Sequence, residues 1–97
     1  MQDVEGIRRA LLQHKAELQK KFKVKTLGVF GSYVHGEQKR GSDVDVLVEF
    51  REPIGLFEFM DLEDYLSQLL GVKVDLVSKK ALKPHIGERI LEEVIMI

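Results

Sequence analysis

The chain has 97 residues and a mass of 11.1 kDa, enough for one folded domain with a modest core. Hydrophobic residues make up 44% of it and charged residues 32%, which is typical of a folded protein and excludes a disordered one. The formal net charge is −1, so charge alone does not indicate a nucleic-acid-binding protein. The absence of cysteine excludes a disulfide scaffold, a thiol nucleophile and a cysteine-ligated zinc site. No apolar run approaches the roughly 20 residues that span a bilayer, so we expect no membrane association and one cytoplasmic domain over residues 1–97.

The first half of the chain predicts a helix, a strand and a tight turn. Apolar residues recur at helical spacing over residues 3–22, with Asp3 as the N-cap. Residues 26–30 are short and rich in residues that favour strands, and they end at Gly31 and Ser32. Residues 32–37 predict a single helical turn, and a polar loop follows to residue 42.

The second half alternates strands and helices. Apolar residues at every second position predict strands over residues 43–50 and 72–77, and a long helix over residues 56–70 lies between them. A last helix begins near Ser78, is interrupted at Pro84 and ends near Glu93. The apolar residues 94–97 predict either an edge strand or a surface that a partner covers. The order α-β-α(short)-β-α-β-α predicts an α+β (α/β) fold with helices packed on a small mixed sheet.

Two carboxylates at the start of the second strand are the first candidate site residues. Side chains alternate along a strand, so Asp43 and Asp45 project from the same face, about 6–7 Å apart. Like charges at this distance repel unless a cation lies between them, and Mg²⁺ is a hard cation that carboxylates bind. The alternative is a pair of exposed charges at the edge of a sheet.

The predicted topology brings a third carboxylate to the same end of the sheet. Gly31 and Ser32 end the first strand where Asp43 begins the second, so antiparallel pairing would place them together. The crossover helix over residues 56–70 implies that the second and third strands are parallel, which places Asp75 at this end too. The alternative for Asp75 is a solvent-facing strand residue beside Lys73.

The Gly31–Ser32 turn has properties that suit a phosphate. Glycine lets the backbone approach a ligand closely, and the first N–H groups of a helical turn can donate to an anion. The hydroxyl of Ser32 is one more donor. The alternative is a plain strand-to-helix turn with serine as its N-cap.

Together these residues resemble a known family. The pattern Gly31-Ser32-x3-Gly36-x6-Asp43-x-Asp45, followed by a third carboxylate in a later strand, resembles the motif of the DNA polymerase beta nucleotidyltransferase superfamily. The short chain is similar to its minimal nucleotidyltransferase (MNT) branch. The resemblance implies the nucleotidyltransferase fold and transfer of AMP from ATP to a hydroxyl.

The resemblance also implies roles for the site residues. Asp43, Asp45 and Asp75 would bind metal, two Mg²⁺ ions with Mn²⁺ as the alternative, and Asp75 would also help deprotonate the acceptor. Gly31 and Ser32 would hold the triphosphate. Relatives commonly carry arginine where this chain has His35, a weaker phosphate contact. Lys39 and Arg40 in the following loop are candidates to replace it.

Many MNT proteins are antitoxins that modify a tyrosine of a HEPN ribonuclease toxin, and the resemblance implies such a partner here. One alternative is a binding module that neutralises a partner by contact alone. Another is a nucleotidyltransferase that acts on a small molecule or RNA, although the chain leaves no room for an additional acceptor-binding domain and we expect no direct contact with nucleic acid. The sequence leaves a homo-oligomer open.

Overall fold

A computed structural model describes residues 3–37 and 43–97. Within these residues four helices and four strands alternate broadly as predicted, with two helices at the start and an additional strand at the end. Their bounds are α1 Val4–Gln13, α2 Lys15–Phe22, β1 Val24–Phe30, β2 Val44–Phe50, α3 Leu56–Leu70, β3 Val74–Ser78, α4 Pro84–Glu93 and β4 Ile95–Met96. One-turn 3₁₀ helices at Gly31–Tyr33 and Lys79–Ala81 follow β1 and β3.

The sheet has the strand order β3-β2-β1-β4. Strand β1 is antiparallel to both β2 and β4, and β2 is parallel to β3. The crossover through α3 therefore has the predicted direction, and the mixed sheet is confirmed. The C-terminal apolar segment forms an edge strand, one of the two predicted alternatives.

One face of the sheet carries the core. Val44, Val46 and Val48 are fully buried on it, as their alternation predicts. Helices α1, α2 and α3 cover this face with buried aliphatic side chains, namely Ile7, Leu11, Leu18, Leu62, Leu66 and Leu70. The odd-numbered residues of β2, including Asp45, therefore project from the opposite face.

The single helix predicted over residues 3–22 is wrong, because the structure has two helices that meet at His14. The backbone of His14 leaves helical geometry at φ −105° and ψ 6°, and its Nδ1 lies 3.0 Å from the carbonyl oxygen of Ala10. The N-cap is confirmed, since the Asp3 carboxylate accepts from the N–H of Gly6 at 2.9 Å.

Two other boundaries differ from the sequence prediction. Strand β3 begins at Val74 and not at residue 72, because Gly71 ends α3 in the left-handed conformation at φ 70° and the chain turns before pairing. The interruption at Pro84 is the start of α4, where proline occupies the first turn.

The exposed edge of β3 is protected by α3. The N–H of Val74 donates to the Ser67 hydroxyl at 3.0 Å, and the N–H of Leu76 donates to the Glu63 carboxylate at 2.9 Å. These bonds occupy edge donors that could otherwise pair with another chain. They also fix the backbone on both sides of Asp75.

The opposite edge is held by a close approach at Gly28. A Cβ atom there would collide with Val94 Cγ2 and lie 3.0 Å from the sulfur of Met96. The missing side chain leaves a notch in β1 that the C-terminal segment fills. No helix in the described ranges is long and apolar enough to cross a membrane.

Candidate active site

Two of the predicted carboxylates are paired across neighbouring strands. Asp45 of β2 and Asp75 of β3 are Cα partners in the parallel pairing. Their side chains therefore share the face opposite the core. Asp75 is exposed and Asp45 is half-buried.

Asp43 lies just before β2, at the same end of the sheet. The neighbouring N–H of Val44 donates to the carbonyl of Lys73 at 2.9 Å, which continues the pairing towards β3. The Asp43 carboxylate lies 4.0 Å from the ammonium of Lys73. The predicted trio thus shares one end of the sheet, and Lys73 is a neighbour of Asp43 as well as of Asp75.

The electrostatics of Asp45 favour a bound cation. Burial, and after it the charges of Asp75, Asp43 and Glu93 in that order of importance, together raise its pKa to about 6. At neutral pH Asp45 is therefore mostly ionised, at a cost in folding free energy that nearby positive charge would reduce. Within residues 3–37 and 43–97, however, no three acidic or histidine side chains already form a chelating cluster. The donor chemistry fits a hard divalent ion, while the side chains of the trio are not gathered around one point.

The turn after β1 contacts Asp45. Gly31 has φ 81°, a left-handed conformation that favours glycine. A Cβ atom at Gly31 would collide with Asp45 Oδ2 and lie 3.0 Å from its Cγ. The predicted glycine is thus required both by its backbone conformation and by contact with Asp45.

The predicted helical turn over residues 32–37 is shorter than expected. Its 3₁₀ helix covers Gly31–Tyr33, and Tyr33 is buried in the core at 3% exposure. Ser32 lies at the second position, with the carbonyl of Gly31 already bonded to the N–H of Val34 at 3.1 Å. The N–H and hydroxyl of Ser32 thus lie in the first turn, where a phosphate could bind. Lys39 and Arg40, the candidate replacements for an arginine at position 35, lie outside the described residues.

Glu93 is a site neighbour to which the sequence reasoning gave no role. It is the last residue of α4, and one carboxylate oxygen accepts from the N–H of Gly31 at 3.3 Å. The other lies 2.6 Å from Nε2 of His35. The hydrogen bond between them raises the pKa of His35 and lowers the pKa of Glu93, and their opposite charges act in the same directions. Sixty-two residues separate Glu93 from Gly31, so no local pattern could have found this contact.

Two cavities lie at opposite ends of β2. A cavity of about 240 Å³ adjoins the turn and is lined by Phe30, Gly31, Ile86, Arg89, Ile90 and Glu93. A larger one, of about 360 Å³, lies at the far end of β2, between Phe50 and the start of α3. Of these two cavities, the smaller lies next to the candidate site.

Comparison with known proteins supports the resemblance. The nucleotidyltransferase domain family matches residues 11–97. Protein adenylyltransferase MntA of Thermococcus cleftensis is 50% identical over 97 residues, covering all of this chain and 98% of that protein. A solved structure described as a minimal nucleotidyltransferase is 37% identical with a TM-score of 0.80, covering 97% of this chain and 95% of that one.

A more distant likeness extends to a toxin–antitoxin complex. The structure of a tri-AMPylated HEPN toxin of Shewanella oneidensis with an MNT antitoxin matches at 17% identity and a TM-score of 0.67, covering 93% of this chain and 70% of that one. At this identity the likeness shows the fold alone. The predicted fold and the predicted family resemblance are both confirmed.

Proposed function

Because this chain belongs to the nucleotidyltransferase domain family, we propose that it transfers AMP from ATP to a hydroxyl of a partner protein. The observation that carries the proposal is the in-register pair of Asp45 and Asp75 beside the glycine turn at Gly31. The 50% identity to a protein adenylyltransferase supports a protein as the acceptor. The chain has all three carboxylates that the family resemblance requires.

In this proposal the three aspartates hold divalent cations, two Mg²⁺ ions or Mn²⁺ in their place. Bound metal would neutralise phosphate charge and favour the ionised acceptor oxygen. Gly31 and Ser32 hold the triphosphate at the start of the turn: the N–H and hydroxyl of Ser32 donate to it, and Gly31, which has no side chain, lets it approach the backbone closely. Asp75, the exposed member, accepts the proton of the acceptor hydroxyl. The acceptor oxygen then bonds to the α-phosphorus, and the bond from that phosphorus to pyrophosphate breaks.

The partner we propose is a HEPN-domain ribonuclease toxin, with a tyrosine as the acceptor, so that this chain acts as an antitoxin in the cytoplasm. The likeness of its fold to the MNT antitoxin fold supports this setting. A large apolar surface supports a protein partner independently. Leu56 is 71% exposed and Phe57 is 81% exposed at the start of α3, and Met60 on the next turn is 50% exposed.

The position of this surface favours one alternative function. The start of α3 follows the C-terminal end of β2, whereas the aspartates lie at the N-terminal end. A partner bound there would contact the far end of the sheet. Neutralisation by contact alone is therefore the second candidate function.

The test is transfer from labelled ATP, with Mg²⁺, to a co-expressed HEPN-domain partner protein. We expect Asp43→Ala and Asp45→Ala each to abolish labelling. Asp64→Ala is the control, because Asp64 is an exposed carboxylate of α3. Normal labelling by both site variants would show that the site assignment is wrong. If Asp45→Ala labels nothing yet still silences the toxin, neutralisation is by contact.

A further inference from the structure

Glu93 connects the two ends of the turn that the proposed function assigns to the triphosphate. Its Oε1 accepts from the N–H of Gly31, the first residue of the turn, at 3.3 Å. Its Oε2 lies 2.6 Å from Nε2 of His35, four residues further along. One carboxylate therefore spans the turn from start to end.

The turn gains from such a connection because two of its own hydrogen bonds are long. A single 3₁₀ turn has poor hydrogen-bond geometry. The N–H of Val34 donates to the carbonyl of Gly31 at 3.1 Å and the N–H of Glu37 to that of Ser32 at 2.9 Å, but the N–H groups of His35 and Gly36 donate only at 3.4 Å. Gly31 and Gly36 at its two ends both have left-handed backbones, at φ 81° and 68°, and glycine loses the most conformational freedom on ordering.

Glu93 is well placed to hold the turn because its own backbone is fixed. It ends α4, where the N–H of Val94 donates to the carbonyl of Ile90 at 2.9 Å. The next residues pair with β1, Ile95 with Val29 and Met96 with Gly28. The carboxylate thus projects from a rigid junction between a helix and a strand.

We propose that Glu93 is a positioning residue that holds the Gly31–Gly36 turn in the geometry that binds the triphosphate of ATP. The inference rests on the proposed function, since that function makes the turn a phosphate site. Glu93 acts through Gly31 and His35 and does not contact the reacting atoms. The competing interpretation is that its carboxylate occupies a phosphate position, in which case its removal would tighten nucleotide binding.

The experiment compares Glu93→Ala, Glu93→Gln and the control Glu92→Ala. Glu92 is the preceding residue of the same helix and is exposed. Binding of a non-hydrolysable ATP analogue, KM for ATP and kcat are measured at a temperature where circular dichroism shows every variant folded. Glutamine keeps an acceptor for Gly31 and can donate to His35, so it preserves the bridge without the charge.

We expect Glu93→Ala to raise KM for ATP and weaken the analogue about tenfold, the order of one lost hydrogen bond to a charged group, with kcat within about twofold. Glu93→Gln and Glu92→Ala should stay close to the parent. Unchanged or tighter binding by Glu93→Ala overturns the inference. Equal loss in Glu93→Gln also overturns it, because the charge and not the bridge would then matter.

Hydrogen exchange without nucleotide separates this inference from the proposed function. Amides of residues 31–36 should exchange faster in Glu93→Ala than in Glu92→Ala if the bridge holds the turn. Unchanged exchange overturns the positioning role even where ATP binds. Faster exchange in a chain that binds no ATP would confirm the bridge and overturn the proposed function.

Discussion

Asp45 and Asp75 are direct partners across two parallel strands, and this pairing leaves Asp45 in an unfavourable electrostatic position. Burial is the largest cause of its raised pKa, and the charge of Asp75 is the next. A functional carboxylate is thus maintained at a cost in folding stability.

Asp45→Asn should stabilise the protein at neutral pH. The pKa of Asp45 is raised to about 6 from an ordinary value of 3.8, so its favourable contribution is complete below about pH 4 and is lost as pH rises through 6. A shift of this size would correspond to about 3 kcal/mol without screening, and solvent around a half-buried group reduces our expectation to about 1 kcal/mol. Urea unfolding of the parent and of Asp45→Asn at pH 4 and pH 7 measures this gain in stability. A gain equal at both pH values would contradict the prediction.

Added Mg²⁺ should raise the unfolding temperature of the parent protein at pH 7. A cation that binds the folded state alone stabilises it by RT ln(1 + L/Kd), where L is the free ion concentration. Asp45→Asn should respond much less, because the half-buried carboxylate is gone, whereas the α3 variant Asp64→Asn should respond as the parent does. Thermal unfolding with and without the ion provides the measurement. Equal responses from all three proteins would show that Asp45 does not bind the ion.

Gly31→Ala should cost more stability than Gly36→Ala. Both glycines have left-handed backbones, but a Cβ atom at Gly31 meets Asp45 while one at Gly36 has no neighbour within 4 Å. We expect Gly36→Ala to lower the free energy of unfolding by about 1 kcal/mol, the cost of the left-handed backbone alone. Gly31→Ala should lower it by about 2–4 kcal/mol, because the collision adds to that cost. The denaturant midpoints of the two variants measure the difference in stability. Replacing Asp45 by alanine as well should recover part of the difference, and no recovery would place the strain elsewhere.

His35→Arg should make the folding stability less sensitive to alkaline pH. The hydrogen bond to Glu93 raises the pKa of His35 above 6.5, so the stability that its charged pairing contributes is complete below pH 6.5 and is lost as pH rises through the raised pKa. Arginine stays protonated throughout this range. The denaturant midpoint should fall with rising pH in the parent and change less in the variant. His85→Arg, at an exposed position in α4, is the control, and a fall in His35→Arg as large as in the parent would contradict the prediction.

Phe57→Asp should prevent partner binding without changing ATP binding. Phe57 is 81% exposed and lies at the far end of the sheet from the aspartates. Burying an aspartate in an apolar interface is unfavourable by several kcal/mol, so we expect at least a hundredfold weaker complex. Pull-down and analogue titration measure the two properties separately. Gln68→Asp, an exposed change at the other end of α3, should leave both unchanged, and partner binding by Phe57→Asp would exclude this surface.

Much of the site could be predicted from the sequence because strand geometry and connection rules are strong. Alternation along β2 assigned Val44 and Val46 to the core and Asp45 to the other face. The crossover through α3 then fixed β3 as parallel and brought Asp75 beside Asp45. These inferences needed no contact between distant side chains, only the direction and period of each strand.

The rest depended on contacts that leave no local pattern. The break at His14 interrupts a continuous apolar period that favoured one long helix. Glu93 is one of two adjacent glutamates, and only the fold shows that it is the one that meets Gly31. The choice between edge strand and partner surface for residues 94–97 likewise depended on Gly28, whose missing side chain makes room for the segment.

The notch at Gly28 links the C-terminal segment to the chemistry proposed for the C-terminal end of β1. A two-residue strand has too few hydrogen bonds to determine its own alignment. The close fit of Val94 and Met96 against Gly28 therefore fixes the register of β4 on β1. Glu93 immediately precedes this contact. A shift of this segment along β1 would therefore withdraw the Glu93 carboxylate from the turn. A substitution at Gly28 would then weaken nucleotide binding while every aspartate stayed in place.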